Sequence, residues 1–201
     1  MLLYKHTNNF QTLDSIVEFT KKIEFIKSTG EVNIEIDGDP ILTISAELGD
    51  YNMILTLLDL GADINGFRKS KYAYGNTALI EAARYGYYHV VKLLIDYGAD
   101  LDVTNYMGNS ALMFATLNRH VEVVRLLLEH GASVDIADKN NDTPLLISSA
   151  KGYFEIVELL LEYHSNIDYV DNDKDDAIIL ATKCGNYKIV KLLKKYKQLK
   201  K

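Results

Sequence analysis

With 201 residues the chain is long enough for a sizeable buried core, and its 48% hydrophobic and 25% charged content is ordinary for a folded globular protein. That balance excludes wholesale disorder, a collagen-like rod and a disulfide scaffold, and the lack of about eighteen consecutive apolar residues argues against a membrane-spanning helix. The net charge of −6 hides an asymmetry: residues 183–201 hold eight lysines and no acid, so residues 1–182 carry −14, and an acidic body is a poor nonspecific grip on phosphate backbones.

From the amino terminus, the apolar part of residues 1–6 is too short for a secretory signal. Residues 1–34 are less regular than the rest of the chain. Phe10, Leu13, Ile16, Val17, Ile23 and Ile26 fit a helical stripe, and Thr29-Gly30-Glu31-Val32-Asn33 echoes the later phrase Gly61-Ala62-Asp63-Ile64-Asn65. This segment reads as a divergent first repeat or an N-terminal cap, which an open stack requires at its end.

From residue 35 onward a repeat governs the chain. Thr77-Ala78-Leu79 returns every thirty-three residues as Ser110-Ala111-Leu112, Thr143-Pro144-Leu145 and Asp176-Ala177-Ile178. An earlier copy begins at Pro40-Ile41-Leu42, thirty-seven residues upstream, with its four extra residues in the connection 66–74. The register gives five copies, at about 35–71, 72–104, 105–137, 138–170 and 171–201. Each copy predicts two short helices. The first, as in Ala78-Leu79-Ile80-Glu81-Ala82-Ala83, follows a Thr, Ser or Asp suited to capping and ends at Gly49, Gly86, Gly152 or Gly185. The second, as in Val123-Val124-Arg125-Leu126-Leu127-Leu128, is stopped by Gly61, Gly98 or Gly131. Asp- and Asn-rich stretches such as 138–142 read as tight turns between copies. Helices this short are marginal alone, so each copy must bury its apolar stripe against its neighbours.

In these residues the chain resembles the ankyrin repeat family over about residues 35–201. The resemblance implies an all-α ankyrin-repeat solenoid of stacked helix–turn–helix units joined by short β-turn or hairpin connections. The histidine usual after Thr-Pro-Leu in that family is replaced by Thr43, Ile80, Met113, Leu146 and Ile179. Arg119 and His164 stand where other copies have glycine, which implies strain if the backbone keeps a positive φ there. His120 falls where ankyrin repeats often carry a structural histidine.

No motif for phosphate, dinucleotide or zinc chemistry is present, and the repeats leave no room for a separate catalytic domain. An enzyme, a cofactor and a metal are therefore not expected. Residues 171–176 begin like a calcium loop, but Asp176 stands where its glycine belongs and Thr182 where its last glutamate belongs, so a solvated turn is the better reading. The lone Cys184 cannot form an internal disulfide and fits a reducing, cytoplasmic setting.

Tyrosine is the informative excess: there are fourteen, seven of them between Tyr72 and Tyr106. Tyr51, Tyr88, Phe154 and Tyr187 recur at one place early in the second helix, which reads as packing. Tyr72, Tyr74 and Tyr106 fall in the turn tips and Tyr85 ends a first helix. In ankyrin proteins those places line a concave partner-binding groove, and the resemblance places Tyr72, Tyr74, Arg84, Tyr85, Tyr106, Met107, Leu117 and Asn118 at its centre. The expected partner of the monomeric chain is another protein. Alternatives are a dedicated inhibitor or neutralising regulator (a host-delivered effector included) of one enzyme through the same surface, and nucleic-acid binding through the basic, aromatic loop 66–74 and the lysine-rich C-terminus. The overall charge disfavours the last.

Overall fold

The computed structural model describes residues 21, 24–26, 28–69 and 74–199. Most of the apolar stripe expected in residues 1–34, and Tyr72, lie outside them. Ile26, which belongs to that stripe, is described and buried.

A short hairpin opens the repeats: β1 (Glu35–Ile36) pairs antiparallel with β2 (Asp39–Pro40). Its two-residue turn, Asp37-Gly38, has φ of 54° and 85°, the left-handed pair that matches the right-handed twist of the strands. Five helix pairs follow. They are α1 (Ile41–Leu48) with α2 (Tyr51–Asp59), α3 (Ala78–Tyr85) with α4 (Tyr88–Asp96), and α5 (Ala111–Leu117) with α6 (Val121–Glu129). The last two are α7 (Pro144–Lys151) with α8 (Phe154–Glu162) and α9 (Ala177–Lys183) with α10 (Tyr187–Leu199).

The caps follow from the residues before each first helix. The side chains of Thr77, Ser110, Thr143 and Asp176 accept from the N–H three residues on, and Pro144 takes the first helical position, where no N–H is needed. Leu126 and Leu127, with their counterparts Leu93, Leu94, Leu159 and Leu160, are buried between successive copies. The first helices approach one another more closely than the second helices do, so the row curves with the first helices on its inner side.

Two ladders stitch the copies. In one, a side-chain oxygen of each copy accepts the backbone N–H at the next: Asn33 from Asp63 (2.8 Å), Asn65 from Asp100 (3.0 Å), Asp102 from Ser133 (2.8 Å) and Asp135 from Asn166 (3.1 Å). Asn33 thus makes the same bond from the divergent segment that Asn65 makes from the first regular copy. In the other, the turn tips join backbone to backbone: Lys69 N to Gly38 O (3.1 Å), Tyr106 N to Tyr74 O (2.7 Å), Lys139 N to Met107 O (3.0 Å) and Asn172 N to Asn140 O (3.3 Å).

One expectation is corrected. Tyr51, Tyr88, Phe154 and Tyr187 are exposed, Tyr187 to 72%, and are not core residues. In the second, fourth and fifth copies the packing role falls to the residue before it, and in the third to His120, which precedes Val121; Asp50, before Tyr51, is exposed and caps α2 instead. Tyr87, His120, Tyr153 and Asn186 reach back over the end of the preceding first helix, where His120 Nε2 lies 3.0 Å from Arg84 O and Asn186 Nδ2 donates to Ser149 O (2.9 Å). In these copies the residue preceding the second helix points across the row, whereas Tyr51, Tyr88, Phe154 and Tyr187 point out of it.

Candidate protein-binding surface

The inner face combines the row of tips with the carboxyl ends of the first helices. Tyr74 and Tyr106 are each 55% exposed, and the hydrogen bond between their backbones sets them side by side. Tyr74 itself holds a φ of 51° and Gly75 one of 77°, repeating the two-residue turn of Asp37-Gly38. The ring of Tyr106 lies over Gly75, where an added Cβ would come within 2.9 Å of it, and meets Phe67 edge-on at 6.1 Å. Met107 is the next residue and is exposed. Thus Tyr74, Tyr106 and Met107 form one patch, to which Phe67, from the basic, aromatic connection 66–74, adds a ring.

Arg84, Tyr85, Leu117 and Asn118 are half-buried at the ends of α3 and α5. Arg84 lies over the rings of Tyr85 (5.4 Å) and Phe114 (5.9 Å), a pair of cation–π contacts that holds it against the inner face. Tyr85 stacks on Tyr87 at 5.8 Å, and burial pushes its hydroxyl above the ordinary tyrosine range. Asn118 donates to Phe114 O and closes the end of α5. Tyr72 lies outside the described residues.

The longer connection behaves differently from its reading as a basic loop. Phe67 bridges Thr77 and Arg68 N donates to Asn76 O (3.0 Å), so the two ends of the connection are joined as the base of a hairpin. Arg68 is only 8% exposed. Its guanidinium meets Asp39 (2.7 Å), Glu47 (2.6 Å) and Glu81 (3.3 Å). Burial alone would lower its pKa, but Glu47, Asp39 and Glu81 together raise it above the ordinary arginine value. Lys69 pairs with Glu35 at 2.7 Å. Arg68 is therefore committed to the protein's own carboxylates, and Lys69 pairs with Glu35 while staying exposed. At the other end Lys183 pairs with Asp175 and Lys197 with Asp168.

Glu81 is the least expected member of the inner face. It occupies the place taken by Ile44, Phe114, Ile147 and Leu180 in the other copies, yet it is a carboxylate only 1% exposed. Asn76 donates to its Oε1 (2.9 Å), while Oε2 has no hydrogen-bond partner and lies 3.7 Å from Arg84. Burial raises its pKa above the usual carboxylate range, against the pull of Asn76 and Arg68. The sequence does carry a signal for it: one acid inside an otherwise apolar run.

The outer face has its own feature, an open groove of about 780 Å³ between α2 and α4, lined by Tyr51, Tyr87, Tyr88, Val90 and Leu93. Among the described residues no group of three or more His, Cys, Asp or Glu side chains is arranged to hold a metal. Residues 171–176 are a turn, in which the Asp171 carboxylate accepts from Asp173 N and Asp175 N and Asp176 caps α9. No helix among the described residues is long and apolar enough to cross a membrane.

Helix pairs in an open row, with stitched tips along one edge, define a repeat solenoid, a scaffold that meets other molecules along an extended face. The chain belongs to the ankyrin repeat family: the family model described as ankyrin repeats (3 copies) matches residues 42–138 and 133–201. Ankyrin repeats are generic protein-interaction modules. No curated protein matches the chain.

Proposed function

We propose that this chain is a non-enzymatic protein-binding module of a reducing, cytoplasmic setting, which receives its partner on the inner face. Its centre is Tyr74, Tyr106 and Met107 at the tips and Arg84, Tyr85, Leu117 and Asn118 on the first helices, and Tyr72 of the same connection is assigned to it from the sequence. The observation that carries this reading is the row of exposed aromatic tips held by backbone hydrogen bonds. Large rings already fixed in place lose little entropy on binding.

The test is affinity capture from the native source with Tyr74→Ala/Tyr106→Ala as the control bait. The double variant is expected to weaken capture by more than about 2 kcal/mol, the scale of binding hot spots, with its unfolding midpoint unchanged. Undiminished capture would refute the assignment of the face. A captured enzyme whose turnover falls on addition of the chain would narrow the role to that of an inhibitor.

A further inference from the structure

The tips form one continuous row, but its chemistry changes along the way. Tyr74, Tyr106 and Met107 make the aromatic and apolar part. The two tips beyond carry Asp138, Asp142, Asp171, Asp173 and Asp175 against Lys139 and Lys174. Asp138 and Asp171 accept backbone N–H groups within their own turns, and Asp175 holds Lys183. Among the described residues, Asp142 and Asp173 have no cationic side chain in ion-pair range. Beside the tips, Phe114, Ile147 and Leu180 take the same place on α5, α7 and α9 and stay half-buried, an apolar strip along the inner face.

We propose that the partner meets this face with a two-part segment: aromatic or aliphatic side chains over Tyr74, Tyr106 and Met107, and lysines or arginines beside Asp142 and Asp173. This inference rests on the inner-face reading above and adds the chemistry of what binds there. Lysine and arginine suit the acidic part twice over, because their apolar stems cover the strip while their charged ends reach the carboxylates. Burial, and then Asp138, Asp171 and Asp173, push the Asp142 carboxyl above its ordinary range. An incoming cation relieves that like-charge crowding.

The test uses fluorescein-labelled dodecapeptides and fluorescence anisotropy at about 0.1 M salt, where the screening length is roughly 10 Å. One peptide joins a Phe-Leu half to a lysine half; a second replaces the lysines with glutamates; a third replaces Phe and Leu with serines. The Phe-Leu-lysine peptide is expected to bind more tightly than either of the others. Asp142→Asn/Asp173→Lys should weaken it by about tenfold. Glu158→Gln/Glu155→Lys, on the exposed side of α8, changes the net charge equally and should leave it within about twofold. Asn stands at the equivalent places 76 and 109, so Asp142→Asn preserves the turn. Equal weakening by both variants, or a lysine peptide that binds no better than the glutamate peptide, overturns the inference. Should that happen while Tyr74→Ala/Tyr106→Ala still abolishes capture of the natural partner, the chemistry falls and the inner-face reading stands.

Discussion

Single residues show where the repeat is obeyed and where it is strained. Gly86 must be glycine: its φ is 74°, and a Cβ there would meet the His120 ring at 2.4 Å. One copy later the same place is Arg119, with a φ of 60°, and at the end of a second helix His164 holds 64°. A non-glycine residue in this region costs roughly 1–2 kcal/mol. Arg119 recovers part of that by lying over the Tyr153 ring at 5.6 Å. His164→Gly is therefore expected to raise stability by about 1 kcal/mol and Arg119→Gly by less, both read from urea midpoints. A loss of stability in His164→Gly would contradict the strain. Glu81 gives a second residue-scale expectation. Its folded pKa is raised, so its contribution is fully present below the ordinary value of 4.5 and is lost as pH rises through the elevated one. Glu81→Gln is expected to remove the fall in stability between 4.5 and the raised pKa and to leave neutral-pH stability equal or higher. A wild-type midpoint that climbs with pH there, or a variant that keeps the wild-type slope, would contradict it.

At the scale of elements, the base of the long connection, where residues 67 and 68 meet 76 and 77, is tied to the stack by one guanidinium. Arg68 joins Asp39 on β2, Glu47 on α1 and Glu81 on α3, and Asn76 and Asn105 extend the chain of bonds into the next copy. Removing one partner of a buried ion cluster leaves unpaired charge behind. Arg68→Met is expected to cost about 3–5 kcal/mol in urea unfolding, and Arg68→Lys to recover only part, since one ammonium cannot reach three carboxylates at once. An Arg68→Met variant as stable as the wild type would show that the cluster does not hold the connection. Helix positions were legible in the sequence because the thirty-three-residue period and the Thr, Ser and Asp caps are local signals. The destination of Arg68 was not, because a basic loop residue looks the same whether it faces water or three carboxylates thirteen to twenty-nine residues away.

At the scale of the whole molecule, the row offers two aromatic faces, and periodicity alone cannot rank them. The recurrence of Tyr51, Tyr88, Phe154 and Tyr187 resembled packing, yet a repeat also repeats its surface, and these side chains face outward. Tyr74 and Tyr106 were readable as tip residues because they sit among turn formers, whereas Phe67 and Glu81 depend on contacts between copies that no single window reveals. Inner and outer faces differ in rigidity of presentation: the tips are bonded one to the next, while the outer groove lies between helices that touch less. Amide hydrogen exchange of the chain with its captured partner bound separates them most directly. Slowed exchange is expected at residues 74–76, 105–109 and 114–118, with α2 and α4 unchanged. Protection confined to α2 and α4 around Tyr51 and Tyr88, with the tips unaffected, would contradict binding by the inner face.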